Sequence, residues 1–177
     1  MKITKILLLG VMLPAVPAFA DDYKVATVIS SDNLEAVAAA APGDRVSDQP
    51  VVHVESAEGR LGVGVVHRPT IAAGSPVQGI QHHKQSEVYR VMSGAGILVT
   101  SATMSESVAL AADGYVVKNL TGPSDTGVID VIENSQPIAT GDIVIIPAGV
   151  AHGFSEISEP ITYMVLRIDP ERLVELK

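Results

Sequence analysis

The chain has 177 residues, 47% hydrophobic and 18% charged, an ordinary globular balance that excludes intrinsic disorder. Twenty acidic residues against 12 basic ones give a formal charge of −8, which disfavours nucleic acid and anionic lipid as partners. The absence of cysteine rules out disulfides and thiolate chemistry, and with no Trp and only 3% aromatic residues a sugar platform of stacked rings is disfavoured, although four tyrosines remain.

Residues 1–20 read MKITKILLLGVMLPAVPAFA. Lys2 and Lys5 precede an apolar run, and the run ends in the small-residue pattern Ala18-Phe19-Ala20, so the segment reads as a secretory signal peptide cut after Ala20. Pro14 and Pro17 interrupt the run, which is shorter than the roughly 20 residues a membrane span needs. The mature protein is therefore expected to be periplasmic or secreted. Losing two lysines lowers the basic count to 10 against 20 acids, a charge of −10. No later segment is long and apolar enough to span a bilayer, so no membrane association is expected after signal removal.

The remaining 157 residues suit one domain. Residues 21–50 read as a lead-in with a short helix: Ser31, Asp32 and Asn33 are capping types, strong helix formers follow to Ala41, and Pro42-Gly43 stops them. Residues 51–177 then change to short β-branched segments punctuated by glycine. Strands are expected from Val51 to Glu55, Leu61 to Arg68, Val88 to Met92, Ile97 to Thr100, Tyr115 to Leu120, Val128 to Glu133, Asp142 to Ile146 and Ile161 to Asp169. Many short strands after one helix imply an all-β antiparallel sandwich or barrel. The stretch from Ser101 to Asp113 is an insert of unassigned form.

Two stretches carry chemistry. The later one, GDIVIIPAGVAHGFSE over 141–156, runs a strand into a Pro-x-Gly turn and starts the next strand near His152. The earlier one, GIQHHKQSEVYRVMSG over 79–94, sets His82 and His83 ahead of Glu87 and Gly94. Along an uninterrupted strand Gln81, His83, Glu87 and Tyr89 share one face, whereas a bend between 83 and 87 would bring His82 to that face instead. His152, Phe154 and Glu156 share a face on the later strand.

These stretches resemble the two motifs of the cupin superfamily. The later one is similar to G-x5-P-x-G-x2-H-x3-N, with Glu156 at the final position, and the earlier one to G-x5-H-x-H-x3,4-E-x6-G, with one histidine fewer than the pattern. The resemblance covers 79–156 and implies a double-stranded β-helix of the cupin or jelly-roll type. It also implies a divalent metal ion, Fe, Mn or Zn, in the barrel mouth. Its ligands would be His82 or His83, Glu87 and His152, with Gln81 as a weak fourth if His83 is the histidine. A buried Glu87 would in any case need a cation or an arginine beside it.

Function follows less directly, because the fold hosts many activities. A metal-dependent dioxygenase or isomerase acting on a small organic molecule is expected, with a non-catalytic ligand-binding or sensing barrel as the alternative. In an isomerase, Glu87 or Glu156 would also move a proton. His67 is expected as a buried, hydrogen-bonded imidazole. Arg68, Arg90 and Arg167 are either solvated or available to a carboxylate-bearing substrate. Pairing into a homodimer is implied by the resemblance alone.

Overall fold

The computed structural model describes residues 25–175; the expected signal peptide lies outside them. Helix α1 spans Ser31–Ala39, where the Ser30 hydroxyl accepts from the Asn33 amide at 3.2 Å and closes the first turn. It packs on the first two strands.

Nine antiparallel strands follow: β1 (Ser47–Ser56), β2 (Gly59–Arg68), β3 (Gln78–His82), β4 (Ser86–Ser101), β5 (Ser105–Ala109), β6 (Ser124–Val128), β7 (Asn134–Ala139), β8 (Ile143–Ile146) and β9 (Ala151–Asp169). Two of them, β4 and β9, are long and pair with each other at both ends. The first half of β4 meets the second half of β9 (Val91 opposite Tyr163), and its second half meets the first half of β9 (Thr100 opposite His152). One layer therefore runs β1-β2-β9-β4-β8, the other β7-β4-β9-β3-β6-β5.

The shared strands turn the corner between the layers through register shifts from Val91 to Leu98. Gly94 sits there with φ +82°, and a Cβ on it would run into the Pro160 carbonyl. Only glycine satisfies both conditions. Between the layers lies the principal core, including Tyr89, Val91, Leu98, Ile146, Phe154, Ile161, Tyr163 and Val165. Outside, β8 exposes Ile143 and Ile145, the latter to 71%.

The all-β barrel with one short helix matches the sequence expectation, but several strand bounds do not. The strand expected from Tyr115 to Leu120 is instead a π-helical turn, Val117–Thr121, in which the Gly122 amide donates to the Val117 carbonyl at 3.1 Å. β-Branched composition alone misleads there, because the segment has no neighbouring strand to pair with and buries Val117, Leu120 and Thr121 by coiling.

The strand expected from Val128 to Glu133 is split. β6 ends at Val128, Val131 and Ile132 are exposed in a loop, and pairing resumes at Asn134. The unassigned insert contributes β5, which pairs with β6. Finally, the segments read separately around 88–92 and 97–100 belong to the single bent strand β4.

Candidate metal centre

Strand β3 ends at His82, and β4 begins only at Ser86. The bend between them lets His82 and Glu87 face the same interior although five positions apart. Three bonds hold it: the Gly149 amide donates to the His82 carbonyl at 2.8 Å, the His83 amide to the Pro123 carbonyl at 3.0 Å, and the Ala148 amide to the Ser86 hydroxyl at 3.1 Å. The Pro147–Gly149 turn is thus fastened directly to the bend. Gly149, at φ +81°, makes that turn and delivers the chain to His152, opposite Ile80 of β3.

His82, Glu87 and His152 converge in the interior, all buried, with one potential ligand atom from each within 4.8 Å of the others. Glu87 Oε2 lies 3.4 Å from His82 Nε2 and 3.4 Å from His152 Nε2. What faces what is decided by the other ring nitrogens. His152 Nδ1 stands 3.0 Å from the Val150 carbonyl, which can only accept, so Nδ1 carries the hydrogen.

His82 Nδ1 lies 2.9 Å from the Ser124 hydroxyl, which has two acceptor-only neighbours for its single hydrogen, the Gly122 carbonyl at 3.0 Å and the Thr121 carbonyl at 3.4 Å. That hydroxyl therefore accepts from His82. With the hydrogen on Nδ1, each ring turns an Nε2 lone pair toward a carboxylate oxygen, and His152 Nε2 is buried without a hydrogen-bond partner.

Three electron pairs meeting at one point repel unless a cation lies between them. Two donors about 2.1 Å from one ion, at right or tetrahedral angles, are about 3.0–3.4 Å apart, and Glu87 Oε2 lies 3.4 Å from each imidazole nitrogen. Two imidazoles and a carboxylate fit Fe(II), Mn(II) or Zn(II).

The remaining lone pairs of Glu87 have partners. Tyr89 donates its hydroxyl to Oε2 at 2.7 Å, and Arg167 Nε donates to Oε1 at 2.9 Å. Arg167 in turn grips both oxygens of Asp48, at 3.2 and 2.6 Å. Burial pushes the Glu87 carboxyl up, but the Arg167 charge and the donors around it hold the group well below the carboxylate range. Burial pulls His82 below the imidazole range and leaves it neutral. Tyr89 is driven well above its usual value, by burial first and the Glu87 charge next, so it stays a donor.

Of the five residues singled out from the sequence, the structure brings together His82, Glu87 and His152. His83 is 42% exposed at its side chain and faces Asp125 at 3.2 Å, while Gln81 donates to the Gly149 carbonyl at 2.6 Å. Glu156 lies away from the cavity, in a groove with Pro137 and Asp142. His67 is half-buried, with Nδ1 2.9 Å from the Thr162 hydroxyl. Arg90 is exposed, whereas Arg68 and Arg167 line the cavity.

Sequence reasoning missed Ser124 and Asp48. Neither had a local signal, because Ser124 reaches His82 across 42 positions and Asp48 reaches Arg167 across 119.

One crossing thus joins both histidine-bearing motifs, each turn fastened to the other, inside a barrel of two antiparallel layers sharing β4 and β9. The chain has a cupin fold. No family model matches the sequence, and no curated protein matches it. Solved structures similar to this cupin barrel include a sugar phosphate isomerase of the cupin superfamily from Silicibacter pomeroyi, at 20% identity and TM-score 0.35. That match covers 60% of this chain and 49% of the other, so the chain spans about half the length of that protein. A DMSP lyase, DddQ, from Ruegeria pomeroyi is similar at 19% identity and TM-score 0.41, covering 72% of this chain and 54% of that one. EutQ from Clostridium difficile is similar at 13% identity and TM-score 0.41, covering 71% and 69%.

Proposed function

We propose that the protein is an exported, metal-dependent enzyme acting on a small organic molecule, with Fe(II), Mn(II) or Zn(II) held by His82, Glu87 and His152. The observation that carries this is the convergence of two neutral imidazole lone pairs on one carboxylate oxygen, with His152 Nε2 otherwise unpartnered. Glu87 alone would not require an ion, because Arg167 and Tyr89 satisfy it; the histidines do. A bound ion of this kind supplies Lewis acidity or, if redox-active, activation of dioxygen.

The rest of the cavity favours oxygen chemistry over isomerisation. Isomerisation needs a residue that accepts a substrate proton. Glu87 is a ligand with a depressed pKa, Asp48 is gripped by Arg167, the Tyr89 and Tyr163 hydroxyls are pushed up by burial, and Glu156 lines a different groove. The chain's own groups there bind, orient and exclude water. The polar lining, with Asp48, Arg68 and Arg167, also argues against an inert apolar pocket.

The test is metal content by mass spectrometry on untagged protein purified without chelator, beside His82→Ala, His83→Ala, Glu87→Ala and His152→Ala. Near-stoichiometric metal, lost in three of these and kept in His83→Ala, is expected, followed by oxygen uptake with small organic substrates. Protein that neither holds nor takes up Fe(II), Mn(II) or Zn(II) would overturn the reading in favour of a metal-free binding barrel.

The export part of the reading is supported by residues 1–20 and is tested by finding Asp21 at the mature N-terminus. Pairing of two copies is supported by the exposed Ile143 and Ile145 and is tested by light scattering.

A further inference from the structure

The charges around the cavity do not balance once a divalent ion is bound. Among its lining residues, the carboxylates of Asp48 and Glu87 stand against the guanidinium groups of Arg68 and Arg167. The lining cancels by itself, so an ion would leave two uncompensated positive charges beside the buried Val66, Tyr89 and Tyr163, where screening by water is weak. An anion is the missing partner.

The two arginines are not equivalent. Arg167 is fully engaged with Glu87 and both oxygens of Asp48. Arg68 commits only Nε, to the Tyr163 hydroxyl at 3.0 Å, and rests its guanidinium 5.5 Å from the centre of the Phe154 ring. Its Nη1 and Nη2 have no hydrogen-bond acceptor among the described residues, and the Tyr163 hydroxyl, which accepts from Arg68, donates to none. A planar guanidinium edge with two uncommitted amino groups matches the two oxygens of a carboxylate.

Tyr163 stacks on Tyr89 at 4.2 Å, and Tyr89 donates to Glu87, so the donor pair and the metal ligands belong to one packed unit. The cavity volume is about 60 Å³, with the exposed Val46 at its rim, and a short chain fits inside it.

We propose that Arg68 and the Tyr163 hydroxyl bind the carboxylate of a short-chain organic acid whose other end reaches the His82, Glu87 and His152 centre. The proposal deepens the metal-enzyme reading and rests on it. A single guanidinium edge and one hydroxyl suit a monoanion with two oxygens better than phosphate, which carries more charge and more acceptor oxygens than these donors supply.

The experiment titrates acetate, propionate and lactate, their uncharged amides, and inorganic phosphate into the full protein by calorimetry, with and without added Mn(II) or Zn(II). Wild type, Arg68→Gln and Arg68→Lys are compared after thermal melts show that each is folded. Acids are expected to bind at least about tenfold more tightly than amides and more tightly than phosphate. Arg68→Gln is expected to hold metal as wild type does but to lose about tenfold in acid affinity, and Arg68→Lys to lose less.

Equal binding of acids and amides, tighter binding of phosphate, or unchanged acid affinity in folded Arg68→Gln would each overturn the carboxylate assignment while leaving the metal site standing. Wild type that takes no metal yet binds acids through Arg68 would overturn the metal reading and retain the carboxylate subsite.

Discussion

Glu87 and His152 face each other across 3.4 Å as two acceptors, because His152 has committed its one hydrogen to the Val150 carbonyl at 3.0 Å. Metal-free protein therefore carries a buried repulsion that a cation would relieve. A ligand at 100 times its dissociation constant stabilises by about 2.7 kcal/mol. For a chain of this size that is a rise in Tm of about 5–10 °C. Scanning calorimetry with and without chelator is expected to show that difference in wild type and none in Glu87→Gln. Equal melting of wild type under both conditions would remove the cation from the account.

Arg167 offers a second test, because it neutralises the buried Glu87 and the half-buried Asp48 at once. Arg167→Met would leave Glu87 without its cation in the interior and Asp48 without its partner at the cavity's edge. The expected loss is about 3–5 kcal/mol in urea unfolding of metal-free protein. Metal bound to Glu87 replaces part of the missing charge, so the loss is expected to shrink when Mn(II) or Zn(II) is present. A loss of the same size in both conditions would mean that the ion does not contact Glu87.

The titration of the two buried groups predicts where acid unfolds the metal-free protein. His82 has its pKa lowered from 6.5 on folding, so the unfolded chain takes up the proton first; the stability held by neutral His82 is complete above pH 6.5 and is lost as the pH falls through the folded value. Glu87 is held well below 4.5, so its contribution is complete above that pH and disappears at more acidic values. Urea midpoints measured against pH are expected to fall in two stages. His82→Gln removes the first and Glu87→Gln the second. A flat profile between pH 6.5 and 5 in wild type would contradict a buried, neutral His82.

How much of this was legible beforehand differs from residue to residue. The strand, Pro-x-Gly turn and histidine of 141–152 are local chemistry, and the structure keeps them in that order. Helix α1 could be read because the capping types from Ser31 to Asn33 and the Pro42-Gly43 stop act within a turn of its ends, although the cap itself is Ser30. Choosing between His82 and His83 could not be done by parity, since the bend at 83–85 depends on bonds to Pro123 and Gly149, distant in sequence. Arg167 looked like one strand arginine among others because its partners, Glu87 and Asp48, are 80 and 119 positions away. The π-helical turn stayed hidden because its β-branched residues are buried by coiling and pair with no strand.

That turn supplies the last prediction, through Ser124. The buried Ser124 hydroxyl donates to the Gly122 carbonyl and accepts from His82 Nδ1, which fixes the tautomer that frees Nε2. In Ser124→Ala the ring loses that partner and can carry its hydrogen on Nε2 instead, the atom a metal needs bare. Removing such an orienting group typically weakens metal binding by about 10–100-fold. The methyl fits where the hydroxyl was, so the fold is expected to persist with a Tm within a few degrees of wild type. Competition with a fluorescent zinc chelator measures the affinity, and His83→Ala and Gln81→Ala serve as references that leave it unchanged. Should Ser124→Ala bind zinc as tightly as wild type while His82→Ala does not, His82 would ligate without help from its serine. Should His83→Ala weaken binding as much as His82→Ala, the bend would have to rearrange on metal binding, and the pair would share the ligand role.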